Sequence, residues 1–398
     1  MPAFKWNRQR DIDLWEFYAK TLLMLLRGRH WWESLVFWVL VAGFLSAWLT
    51  PDIYARLMAV VNLPANGEAL TREATVLTDA GVAVLRARFD NWLAGKVQDA
   101  IDAGEQVDAS FVATDVLVEE VLLEDGRAVG IRAGEERFYA DCVILAEGVN
   151  NLLTRQVGLQ DDWVPPDYMM VGVKEVIRLD RKVLEDRFQL DGRSGLSNEF
   201  VGFASQGVEG GGFLYTNEAS LSVGLVLGIK DLGEKKQKKP YDILNAFKAH
   251  PAVADMIRGG EVVEYSAHAV SSGDLRVLPR EVYMDGLLVA GEAANLLVNA
   301  GKAIQGMDYA MRSGILAAET VVEARAQNDF GASVLKRYRA KLEESFVMKD
   351  LRGFQGAVHL LHDPMMYETM PALLCDFGRR FFTVESAPTP KTRQMLGD

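Results

Sequence analysis

Cysteine is nearly absent. Cys142 and Cys375 are the only two in 398 residues, and they form no CxxC. A protein-held iron–sulfur cluster or a Cys-rich zinc site needs more thiolates, so both are excluded within this chain. Two distant cysteines give no disulfide framework either, which suits a reducing compartment. An excess of positive charge is also lacking. The formal net charge is −12, which argues against a general nucleic-acid binder. The five histidines include no HExxH; His359 and His362 stand three apart, and no metal site is expected. There is no GxSxG and no Ser/His/Asp set. Nor is there a strand followed by GxGxxG and a helix, with an acid about 20 residues on. Gly210, Gly211 and Gly212 run into strand-like sequence, so they suit a tightly turned strand start, or a floor for a flat ligand, rather than a phosphate loop.

What is present is a globular composition, 49% hydrophobic and 25% charged, with room for about two domains. It is not uniform. Of eight tryptophans, six (Trp6, Trp15, Trp31, Trp32, Trp38 and Trp48) precede residue 49. Residues 1–66 read as a membrane-associating helical segment. The uncharged run 34–51 is at the short end for a spanning helix, which needs about 17–25 residues. An amphipathic stretch with basic residues and the Trp31, Trp32 pair precedes it, as suits a headgroup layer. A spanning helix, an interfacial or hairpin anchor, and a helix buried in protein remain open.

The rest alternates in character. Residues 67–160 read as α/β, with a helix over 84–98, strands over 111–123, and a strand over 138–146 ending in the apolar run CVILA. Residues 161–285 read as a β-rich domain: a strand over 171–179, two strands within 210–229 around a turn at Asn217, Glu218 and Ala219, a helix over 241–250 and a strand over 262–270. Residues 286–330 return to α/β, with a short buried strand, GLLVA, and a long helix starting near Gly301. Residues 331–398 read as helical.

Three places carry chemistry. In the segment 286–319 a buried strand runs into Gly291, Glu292 and Ala293. Gly291 lets backbone approach a ligand, and the Glu292 carboxylate suits ribityl hydroxyls. The helix start between Gly301 and Gly306 offers free N–H groups and a positive dipole end for a reduced isoalloxazine. In VILAEGV, Glu147 and Gly148 end a second apolar strand, where ligands bind in open α/β folds. Arg86, at a helix start, has the reach and charge for a phosphate or ribityl group. Each also has a plain reading, as strand–loop joints and a solvated arginine. His268 is either a pocket residue or a core histidine. The basic run EKKQKKP (234–240) is either a solvated loop or a docking patch.

Taken in order, VLRARFDNWL (84–93), VILAEGVNNLL (143–153), VGVKEVI (171–177), GGGFLYTNEASLSVGLVLG (210–228), VVEYSAHAV (262–270), the 286–319 segment and LEESFVMKDLRGF (342–354) form a specific set. From about residue 70 to 386 the chain resembles the FixC-type electron transfer flavoprotein dehydrogenases, also called electron transfer flavoprotein–quinone oxidoreductases. The resemblance implies an α/β (α+β overall) glutathione-reductase-type FAD domain, here incomplete, with a β-rich substrate or quinone domain over 161–285. It also implies FAD as cofactor and electron flow from electron transfer flavoprotein toward membrane quinone. The iron–sulfur cluster would sit on a separate ferredoxin-like subunit. The family's Gly-Asp-Ala-Ala falls on Gly291, Glu292, Ala293 and Ala294, and its Ala-Asp-Gly on Ala146, Glu147 and Gly148, with Glu for Asp in both. Its Arg-x-x-Leu-Asp falls on Arg86 and Asp90. The family begins with a GxGxxG unit, in whose place residues 1–66 stand. Losing those contacts weakens FAD binding by several kcal/mol, at about 0.5–1.5 kcal/mol per hydrogen bond. Another phosphate site, a partner chain that completes the unit, and a relative without FAD remain open. Two function classes follow: a flavin enzyme at the cytoplasmic face of the inner membrane, in contact with lipid, or a non-catalytic partner subunit. A geranylgeranyl-reductase-like flavoprotein is the enzymatic alternative.

Overall fold

The computed structural model describes residues 84–383, apart from 105–109, 161–162, 192–193, 235–238 and 302–303. The expectations for residues 1–66, including the anchor, lie outside the described residues. Among the described residues no helix is long and apolar enough to cross a membrane.

Helix α1 (Arg86–Asp102) is followed by an antiparallel meander of β1 (Glu120–Glu124), β2 (Arg127–Ala133) and β3 (Glu136–Tyr139). Strand β4 (Val143–Leu145) and the short helix α2 (Leu152–Gln156) come next. Two expectations are corrected here. Residues 111–118 alternate in character but join no ladder among the described strands, and Leu117 is 74% exposed. Residues 138–146 are not one strand. The chain turns after Tyr139, so that β3 pairs antiparallel with β2 while β4 joins a different sheet.

The largest sheet is antiparallel and built from β5 (Met169–Arg178), β6 (Ser197–Phe200), β7 (Gly210–Thr216), β8 (Ser220–Gly228) and β9 (Glu261–Ser271), in the order β6-β7-β8-β5-β9. Helix α3 (Arg181–Phe188) follows β5; α4 (Ile229–Glu234), α5 (Pro240–Ala249) and α6 (Pro251–Ile257) lie between β8 and β9. The β7–β8 turn falls where the alternation predicts it. Asn217 Nδ2 donates to the Ser220 and Ser222 hydroxyls there, at 3.2 and 3.1 Å. Because strand residues alternate faces, Val173, Ile177, Leu214, Val223 and Leu225 share one face and bury against Ile243, Leu244 and Phe247 of α5. The three glycines at the start of β7 serve close packing. A Cβ on Gly210 would collide with the Val226 carbonyl, and one on Gly212 would lie 2.8 Å from the Phe247 ring.

The other face of this sheet carries Gly172 and Lys174 of β5, Gly224 of β8, Phe213 and Tyr215 of β7, and His268 of β9. The Phe213 and Tyr215 rings stack with centroids 5.6 Å apart.

Beyond β9, β10 (Tyr283–Met284) and β11 (Leu287–Val289) form a third sheet with β4, in which β11 and β4 run parallel. Strands β12 (Val298–Asn299) and β13 (Ile304–Gln305) make a hairpin. Helices α7 (Met307–Gln327), α8 (Ala332–Glu344), α9 (Phe346–Gly353), α10 (Gln355–Leu361) and α11 (Thr369–Phe382) complete the described chain. The α8 residue Tyr338 is fully buried and donates from Oη to the Val289 carbonyl at 3.0 Å, joining this helix to β11. The long helix therefore begins at Met307 and not near Gly301. Gly301 sits in the β12–β13 hairpin with φ +83°, a left-handed conformation that glycine tolerates, and its N–H donates to Asn299 Oδ1 at 3.1 Å.

Candidate functional site

Parallel strands need their carboxyl ends to open on a turn, and ligands in open α/β sheets bind at that edge. Strands β4 and β11 deliver two such turns side by side. One is a 3-10 turn over Gly148–Asn150, the other over Gly291–Ala294, and the two are in contact. Strand β9 touches the first turn, and α7 packs against the second.

Gly291 has φ +63°, and a Cβ there would lie 3.2 Å from Ala310 Cβ on α7. Its N–H donates to Ser313 Oγ at 2.8 Å, so the turn is fastened to α7. Glu292 follows. Its Oε1 is buried without a hydrogen-bond partner. Burial pushes its carboxyl above the usual carboxylate range, while the Ser271 amide and the Arg86 charge pull the other way. Ala293 is fully buried and contributes packing. Gly306 occupies the position before α7, and its carbonyl accepts the Ala310 N–H at 2.8 Å.

Gly148 has φ +76°, and a Cβ there would point into open space, leaving the backbone bare on that side. Glu147 does something the sequence did not suggest. Its carboxylate accepts the Leu153 N–H at 2.9 Å, and the Thr154 N–H and hydroxyl at 2.7 and 2.9 Å. Its oxygens are thus engaged by the start of α2. Arg86, at the head of α1, pairs with Asp90 at 3.0 Å on an exposed face. Its charge still reaches His268, whose pKa is lowered chiefly by burial, and Glu292, where it opposes the upward push of burial. The fold therefore brings Arg86, Gly148, Gly291 and Glu292 to one place, puts Glu147 at its edge as a cap, and sets Gly301 in a hairpin.

Sequence reasoning missed Asn151 and Ser272. Asn151, left-handed at φ 36°, is buried with its Nδ2 unpartnered. Ser272 follows β9 and is 1% exposed, and its hydroxyl also lacks a partner. Buried polar atoms are normally paired, so unpaired ones on touching segments mark a place for a polar ligand. The available signal for Asn151 was the Gly148-Val149-Asn150-Asn151 sequence, a turn with two residues prone to left-handed backbone. His268 is exposed and faces Gly172 across the β5–β9 ladder, so it is no core histidine. Among the described residues no cluster of His, Cys, Asp and Glu is arranged to hold a metal ion.

Comparison with known proteins is consistent with this geometry. The family model for the ubiquinone-binding region of ETF-QO matches residues 169–270, the span of β5 to β9. The FixC protein of Escherichia coli K12 is 42% identical over 314 residues, covering 79% of this chain and 71% of its own length. The probable electron transfer flavoprotein-quinone oxidoreductase YdiS of the same organism is 38% identical, covering 80% and 71%. Among solved structures, a geranylgeranyl bacteriochlorophyll reductase-like protein from Thermoplasma acidophilum matches with TM-score 0.59 and 19% identity, covering 82% of this chain and 75% of that one. The flavin-dependent halogenase CmlS matches at TM-score 0.50 and 18% identity, covering 84% and 62%. These likenesses establish a mixed α/β fold similar to that of flavin-dependent oxidoreductases and halogenases. The identity shared with FixC over most of both chains does more: this chain belongs to the FixC and electron transfer flavoprotein–quinone oxidoreductase family.

Proposed function

We propose that this chain is an FAD-dependent oxidoreductase that passes electrons from reduced electron transfer flavoprotein to a quinone. One observation carries the reading: the buried, unpartnered carboxyl oxygen of Glu292 lies on a turn in contact with the open backbone of Gly148, at the carboxyl ends of two parallel strands. The residues fit a flavin nucleotide. Glu292 would accept ribityl hydroxyls, Gly148 would let a flat ring system approach the backbone, and Arg86 and the start of α7 would favour negative charge nearby. When bound, FAD supplies two-electron and one-electron redox chemistry in turn. The chain's own part is to bind and orient it. The Gly291–Ser313 hydrogen bond and the Glu147 cap hold the two turns in place. The β5–β9 sheet presents a face of glycines and aromatic rings, suited to a flat apolar acceptor. Membrane lipid, a ferredoxin-like subunit and the cytoplasmic face of the inner membrane belong to the same proposal, since quinone is reached from lipid.

The test is direct. The protein is purified from membranes and its visible spectrum recorded, with and without added FAD. It is then mixed anaerobically with reduced electron transfer flavoprotein and a short-chain quinone. Flavin bands and quinol formation are expected, and Glu292→Ala should lower the flavin-to-protein ratio with the fold intact. A chain that binds no flavin under either condition refutes the proposal. Reduction of a polyprenyl double bond in place of quinone would reassign it to the geranylgeranyl-reductase-like class.

A further inference from the structure

Quinone reduction consumes protons as well as electrons, and the face of the large sheet holds a group placed to handle them. In the antiparallel β5–β9 ladder His268 stands opposite Gly172. Gly172 has no side chain, and the imidazole leans across it, with Cε1 3.8 Å from where a Cβ would be. Lys174 is two residues along the same strand, so it projects from the same face. The stacked Phe213 and Tyr215 rings lie on that face too, beyond β8. The strand carrying His268 continues to Ser271, and it touches the Gly148 turn. The imidazole is solvent-accessible on one side and faces the glycine floor on the other.

We infer that His268 is the proton donor to the quinone on this face, an inference that rests on the function proposed above. The reaction balances as follows. The two electrons would come from reduced electron transfer flavoprotein by way of FAD held at the Gly148 and Glu292 turns. One quinone oxygen takes the His268 N–H proton: that N–H bond breaks as the O–H bond forms. The other imidazole nitrogen takes a proton from solvent, so the ring ends neutral. The second oxygen takes its proton from water.

The charged groups facing His268 suit this role. Partial desolvation against the sheet, and then the positive charges of Arg86 from α1 and Lys174 from β5, keep the imidazole below its ordinary pKa. Lys174 is itself approached by Glu264 of β9 at 3.7 Å, and Arg86 is paired with Asp90 while its charge also reaches Glu292. The ring is therefore neutral near pH 7, an N–H donor with a free nitrogen to receive the replacement proton.

The experiment compares the holoenzyme with His268→Ala and His268→Gln. It uses two acceptors: a short-chain quinone, and ferricenium, which takes one electron and no proton. For both variants the flavin-to-protein ratio and ferricenium reduction should match wild type. Quinone reduction should fall about 100-fold, the scale of general acid catalysis. Added imidazole should restore the rate in His268→Ala. Wild-type quinone reduction in His268→Ala overturns the inference. Equal loss with both acceptors overturns it as well, because it marks a structural role. A wild-type protein that reduces neither acceptor overturns the proposed function, and this inference with it.

Discussion

Replacing Lys248 by Met should destabilise the large sheet by about 3–5 kcal/mol, the range for orphaning one member of a buried ion pair. The reasoning starts from Glu175, in the middle of β5. Its side chain is 4% exposed, and its Oε2 lies 2.6 Å from Lys248 Nζ on α5. The pair lies on the helix-covered face, directly behind Lys174. Without the ammonium, the carboxylate keeps its desolvation cost and loses its counter-charge. Urea unfolding at pH 7 measures the loss. The double variant Glu175→Leu/Lys248→Met should recover most of the stability, since removing both charges leaves nothing unpaired. A loss under about 1 kcal/mol at pH 7 refutes the argument. So does a double variant no better than the single one.

Two further predictions concern fastenings around the site. His362 Nδ1 donates to Glu209 Oε1 at 2.8 Å, and this contact raises its pKa despite partial burial. A raised histidine stabilises the fold fully below its unfolded value of about 6.5, and that contribution is lost as pH rises through the folded value. Melting temperature followed from about pH 6 to pH 9 should therefore show a decline that His362→Gln removes. Gly291→Ala should cost about 1–2 kcal/mol, because alanine is strained at positive φ. Ala310 must also move, and flavin content should fall together with melting temperature.

The site was legible where local pattern and tertiary role coincide. Apolar runs ending in Ala146-Glu147-Gly148 and Ala290-Gly291-Glu292 are the marks of parallel strands opening on a turn, and β4 and β11 do pair there. The β7–β8 hairpin was equally plain, because its alternation breaks at Asn217. What escaped depends on distant partners. The capping of α2 by Glu147 joins residues six and seven positions apart through a turn whose shape local propensity does not specify. Gly301 looked like a helix start because glycine suits that place as well as a left-handed hairpin. In EYSAHAV the alternation assigns His268 to a face of β9, but only the β5 register sets it over the bare Gly172.

The Glu147 cap has a consequence for the speed of ligand capture. Three hydrogen bonds accepted by one carboxylate close the 148–151 turn using groups of the chain alone. The turn is therefore shaped before anything arrives, and an incoming nucleotide bears no ordering entropy for it. Association at this edge proceeds as docking onto a finished surface rather than as folding around a guest. Differences in residence time then fall to the atoms still lacking partners, Glu292 Oε1, Asn151 Nδ2 and Ser272 Oγ.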